Sequence, residues 1–182
     1  MDSKNTKGKK IAIMIPAELP LSPKVREFVI SFLKQEAKFS NIWIGRLALM
    51  VDEMVNNAIE HGSNGSEDSI DISIITMEDN SLKIIVEDMG KDGKKIKAKD
   101  LEKQIKINLE NKNNGIKLKT GIRGRGLSHI VSVLSDSFNY VDNEKGGLTG
   151  IIYKKFNSEC ADIKESNAPI DENKIKVQTI TL

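Results

Sequence analysis

Ile11, Ile13 and Ile15 take every second position of residues 10–15, which predicts a strand with one apolar face. From residue 22 the period lengthens. Val25, Phe28, Val29 and Phe32 or Leu33 form the stripe of a helix reaching about residue 37, with Ser22 suited to the N-cap and Pro23 to the first helical position. A second helix is predicted over 41–61, with Ile44, Leu47, Ala48, Val51, Met54, Val55 and Ala58 along one side and Gly62 ending it. Alternation returns at 69–77, through Ile70, Ile72 and Ile74, and at 82–88, through Leu82, Ile84 and Val86, with a turn at 78–81 between them. By that parity Asp88 points to the same side as the apolar residues.

Residues 89–120 follow neither period. They are rich in Gly, Lys and Asn, with an amphipathic turn or two around Leu101, Ile105 and Leu109, and a connection this long reads as a lid or a disordered segment. A helix is predicted over 126–134, then strands near 138–141 and 148–156 separated by a turn at 143–147. The expected divisions are a polar N-terminus at 1–9, a domain at 10–156 carrying a lid at about 91–120, and a polar tail at 157–182 in which 174–182 suits an edge strand. Short turns between neighbouring strands, with three helices to cover one face, give an α+β fold class: a two-layer α/β sandwich whose mixed sheet is mostly antiparallel.

Composition narrows the function classes. A chain of 182 residues, 38% hydrophobic, can bury the core of one domain. With 28 basic and 26 acidic side chains, and with five Phe, two Tyr and one Trp, it has neither the overall charge nor the stacking platforms of a typical nucleic-acid binder. No run approaches the ~20 apolar residues of a membrane span, so neither nucleic acid nor membrane is an expected partner. Cys160 is the only cysteine, which excludes an internal disulfide framework and a multi-thiolate zinc site and points to a reducing, cytoplasmic home.

Three short motifs carry chemistry. On the second helix Glu53 and Asn57 are four residues apart and stack one turn above the other, so a proton acceptor stands beside a neutral oxygen ligand for a hard cation such as magnesium. The same pair also suits a plain solvated helix face. At the end of the 82–88 strand, Asp88 suits an exocyclic amine and Gly90 lets backbone approach a flat ring, although Asp-x-Gly is equally an ordinary turn. Finally, Gly121-Ile122-Arg123-Gly124-Arg125-Gly126-Leu127 runs into a predicted helix, where freed N–H groups, the helix N-terminus and Arg123 or Arg125 suit a phosphate.

Taken in order, Glu-x-x-x-Asn-Ala on a helix, Asp-x-Gly at a strand end, a lid, and Gly-x-Gly before a helix resemble the ATP-binding (Bergerat, or GHKL) fold of gyrase B, mismatch-repair ATPases, heat-shock chaperones and histidine kinases. Over roughly residues 11–156 the chain is most similar to the small bacterial anti-sigma factor serine/threonine kinases. The resemblance implies that Asn57 ligates a magnesium ion bridging the ATP phosphates, that Glu53 is the general base, that Asp88 binds the adenine amino group with Gly90 beneath the ring, and that the Gly124-Arg125-Gly126-Leu127 start of a helix holds the phosphates. It further implies transfer of the γ-phosphate to a Ser or Thr of an anti-anti-sigma (STAS) protein, a sigma factor or other response regulator as the regulated partner, and a homodimer. The alternative is a module that binds ATP or ADP and sequesters its partner without phosphorylating it. Two positions depart from the family pattern: Ile122 stands where an arginine is common, and Gly147-Leu148-Thr149 replaces Gly-Thr-Thr. Residues 91–120 hold ten lysines against four acids, so the segment suits closure over a polyanionic nucleotide, or simply a solvated loop.

Overall fold

Strands of strictly alternating burial form the centre of the molecule. In the computed structural model, which describes residues 8–93, 96–113 and 134–161, β2 (Ser69–Thr76) and β3 (Leu82–Glu87) bury Ile70, Ile72, Ile74, Leu82, Ile84 and Val86 on one face. They are flanked by β1 (Lys9–Pro16) on one side and by β5 (Leu148–Lys154) and then β4 (Ser137–Asp142) on the other, giving the order β1-β2-β3-β5-β4. All four described pairings are antiparallel, so no parallel pair of the expected mixed sheet occurs among the described residues. β5, with Leu148, Ile151 and Ile152, takes the interior position, and the more polar β4 takes the edge.

The buried face is covered by α1 (Ser22–Glu36) and α2 (Asn41–Gly62), which pack together, with α2 lying across β2 and β3. Val25, Val29 and Leu33 of α1 and Leu47, Val51, Met54 and Val55 of α2 join the strand isoleucines in one core. Ser40 caps α2 by accepting the Trp43 N–H at 3.3 Å. Ser22 does not cap α1. The chain enters through a 3-10 turn at Leu19–Leu21, Ser22 is already helical, and its hydroxyl, buried against α2, donates instead to Asp52 Oδ1 at 2.6 Å.

Within the expected lid, residues 98–113 form a four-turn helix, α3 (Ala98–Asn113). It is fixed to the sheet edge by a small apolar cluster of Ala98, Leu101 and Leu148 against Tyr140. Asp142 Oδ1 accepts the Ala98 N–H at 2.9 Å, while Glu102 Oε1 accepts the Tyr140 N–H of β4 at 3.3 Å. Only a narrow contact side is apolar, which explains why periodicity alone gave so weak a signal there. Leu101→Ala is expected to cost about 2 kcal/mol locally; hydrogen exchange should quicken across α3 and stay unchanged in α2.

The packed unit continues past residue 156. A 3-10 turn at Ser158–Cys160 lies on the start of α2, with Glu159 O accepting Trp43 Nε1–H at 2.7 Å and Cys160 O accepting the Ser40 N–H at 2.7 Å. Cys160 is fully buried, and Lys154 Nζ sits 4.5 Å from the Trp43 ring centroid. The helix predicted over 126–134 lies outside the described residues apart from Leu134, and the edge strand predicted over 174–182 lies wholly outside them. No helix of the described residues is long and apolar enough to cross a membrane.

Candidate functional site

Asp88 is the centre of the site. It follows β3 by one residue, keeps the inward parity that the strand pattern predicts, and is 5% exposed. A buried carboxylate needs donors, and Oδ1 has two: the N–H groups of Gly90 and Leu148, each at 3.0 Å. Its backbone is held as well. The Asp88 N–H donates to Leu148 O at 3.0 Å, and Asp88 O accepts Asn143 Nδ2–H at 2.8 Å.

Two glycines make room for this carboxylate. A Cβ on Gly62 would fall under 3.0 Å from Asp88 Cγ, Oδ2 and Cβ, and one on Gly147 would fall equally close to Asp88 Oδ1, Asp88 O and Gly90 N. Gly62, expected only to end the helix, therefore serves as the point where α2 approaches the strand end. Gly90 has φ +81°, a conformation natural to glycine, and a Cβ there would lie 2.5 Å from Gly146 O. The turn at 143–147 and the segment after β3 thus touch backbone to backbone.

Met54, Asn57, Ala58, Val86, Asp88, Tyr140 and Gly150 line one cavity beside this junction. Its walls are mostly apolar and its polar groups converge on two residues, Asp88 from the sheet and Asn57 from α2. Gly150 keeps the floor open, because a Cβ there would meet Met54 Cε at 2.8 Å and Tyr140 Cε1 at 3.0 Å. Asn57 Nδ2 donates to Glu53 O at 2.7 Å, so the amide nitrogen is tied back to the helix and the amide oxygen is the end left for a ligand. Glu53 stands one turn earlier on α2 and is not among the residues lining the cavity. Desolvation raises its pKa above 4.5, and the carboxylates of Asp52 and Glu60 add to the shift.

Of the residues singled out by sequence, Asn57, Asp88 and Gly90 come together here, with Glu53 adjacent. Gly124, Arg125, Gly126 and Leu127, together with Arg123, lie outside the described residues. Thr149 has the opposite parity to Leu148 and Gly150, and its hydroxyl donates to Glu87 Oε1 at 3.0 Å. Sequence reasoning missed the spacing role of Gly62, Gly147 and Gly150, and it read Asn143 only as the start of a turn. The available signal was a glycine in the middle of a predicted strand, Gly150, which marks a close approach. Among the described residues no cluster of three His, Cys, Asp or Glu side chains is placed to hold a metal.

A five-stranded antiparallel sheet covered on one face by two helices is consistent with the GHKL ATPase fold. Residues 15–152 match the model of the histidine kinase-like ATPase domain, and the chain belongs to that family. Among solved structures, it is similar to the crystal structure of the RsbU and RsbW domains of Rv1364c from Mycobacterium tuberculosis, at 17% identity and a TM-score of 0.54. That alignment covers 81% of this chain and 32% of the other, so the present chain spans about a third of that protein's length. No curated protein matches the chain.

Proposed function

We propose that this protein is an ATP-dependent serine/threonine kinase of the anti-sigma type, acting in the cytoplasm as a homodimer on a STAS-type partner, with a sigma factor or other response regulator as the regulated protein. The observation that carries the nucleotide reading is the cavity shared by Asp88 and Asn57. Asp88 Oδ1 is occupied by two N–H groups, which fixes the carboxylate plane and presents an acceptor suited to the adenine amino group. Met54, Val86 and Tyr140 would supply apolar walls for the ring, and Gly90, whose N–H donates to Asp88 Oδ1, would stand next to the base contact.

The residues present fit a magnesium nucleotide. Asn57 offers a single neutral oxygen and would hold the magnesium ion of a bound nucleotide, which would supply charge neutralisation for the phosphates. Gly124, Arg125, Gly126 and Leu127 would supply N–H groups and positive charge to the phosphates. Glu53 would accept the substrate hydroxyl's proton, a role that suits a carboxylate whose basicity is raised by burial and by Asp52 and Glu60.

Incubation with γ-labelled ATP, magnesium and candidate STAS proteins tests the proposal. The expected result is label on a partner serine or threonine. A stoichiometric, nucleotide-dependent complex without label transfer would establish sequestration in its place.

A further inference from the structure

We infer that Asn143 is a positioning residue that sets the nucleotide-base specificity of this site by holding Asp88. The inference rests on the reading of Asp88 as the adenine contact. Asp88 lies just beyond the regular ladder, because the β3–β5 pairing ends at Glu87 and Thr149, yet it is buried, so its carbonyl needs a donor from outside the strands. Asn143 supplies that donor from a turn 55 residues further along the chain.

The side chain does two things at once. Its Nδ2 donates to Asp88 O at 2.8 Å, and its Oδ1 accepts the Gly147 N–H at 2.9 Å. Two backbone bonds close the same turn: Asn143 N–H to Gly147 O at 3.0 Å and Gly146 N–H to Asn143 O at 3.2 Å. Leu148, next in line, then donates to Asp88 Oδ1 and accepts from the Asp88 N–H. Asn143 therefore closes a loop of bonds that runs through the turn, into β5 and back to the carboxylate. An amide is the side chain that both donates and accepts at this reach, whereas an ionised carboxylate only accepts.

The consequence is chemical selectivity. A carboxylate held in this plane rewards a base that offers an amine and repels one that offers a carbonyl. In Asn143→Asp the acceptor for Gly147 remains, but an anionic oxygen replaces the donor opposite Asp88 O, and the two acceptors push the Asp88 backbone away. In Asn143→Ser the shorter side chain loses the reach to Asp88 O.

Binding of magnesium ATP and of magnesium purine riboside triphosphate, which lacks the exocyclic amine, should be measured by calorimetry on the intact protein. Wild type is expected to prefer ATP by roughly tenfold or more, and Asn143→Asp to bring the two within about twofold, chiefly by weakening ATP. Asn143→Ser should show the same collapse and stands in if the Asp variant does not fold by circular dichroism. Equal weakening of both nucleotides, or an undiminished preference for ATP, would overturn the inference. A wild type with no preference would instead overturn the assignment of Asp88 to adenine, and the role of Asn143 with it.

Discussion

Glu53→Gln should abolish phosphoryl transfer, by roughly 10²- to 10⁴-fold, while ATP affinity stays within about twofold of wild type. The amide keeps the size and the hydrogen-bonding reach of the acid but takes up no proton. Glu53 is not among the residues that line the cavity of Asn57 and Asp88, so under the proposed function nucleotide binding would not depend on its side chain directly. A variant that transfers label at the wild-type rate would remove Glu53 from the reaction. The pH profile gives an independent reading. A general base works when deprotonated, and burial, then Asp52 and then Glu60 raise this carboxyl above 4.5, so the acid limb of the rate should fall above that pH. Glu60→Gln removes one of the two raising charges and should move the limb to lower pH.

The same shift links Glu53 to folding. Its pKa is higher in the folded than in the unfolded protein, so the folded state holds the proton more tightly, and stability falls as pH rises through the interval between the two values. Well below the unfolded value both states are protonated and the contribution fades. Glu53→Gln is therefore expected to be at least as stable as wild type at pH 7, with the difference fading toward pH 4. A residue kept for packing would show the opposite sign.

Gly62→Ala and Gly147→Ala are expected to weaken ATP by about 30-fold, the equivalent of some 2 kcal/mol. They should differ in their cost to the fold. At Gly62 the three atoms nearest the new methyl all belong to the Asp88 side chain, so the carboxylate is displaced and the helix survives. At Gly147 it meets the Asp88 carbonyl and the Gly90 nitrogen as well, so backbone must move, at a cost of about 1–3 kcal/mol of stability. The mechanism has a sharper test in a double-mutant cycle. If Gly62→Ala acts by pushing Asp88 aside, it should add almost nothing in an Asp88→Ala background. Additive losses would mean that Gly62 serves the nucleotide by another route.

The layer architecture and the inward Asp88 were legible because period-two and period-3.6 patterns report burial directly, and burial decides both. Asp88 stood out because the strand pattern turned a carboxylate toward the core, whereas Asn57, off the apolar stripe of its helix, stood out only through its spacing from Glu53 and the order of the motifs. The helix α3 was harder to read, since among its described side chains the contact with the sheet rests on Ala98 and Leu101 and on polar bonds made with Asp142 and Glu102. Such bonds join residues dozens of positions apart, which periodicity does not register. For the same reason Asn143 read as turn chemistry. Its local bond to Gly147 is the ordinary behaviour of asparagine, whereas its bond to Asp88 exists only once β3 and β5 are paired. Ser22 misled in the other direction, because a hydroxyl suited to a cap found a better acceptor in Asp52.

The grip on Asp88 is made largely of main-chain N–H groups and of glycines that stand aside for it. Leu148 contributes its backbone to the carboxylate, and any non-proline residue has the same N–H to give. The Leu148 side chain meanwhile packs against Ala98 and Leu101, so one residue holds the carboxylate with its backbone and anchors α3 with its side chain, while Gly62, Gly90 and Gly147 keep the space around Asp88 open. A hold made in this way depends on main-chain geometry and a few close approaches more than on the identity of the side chains around it.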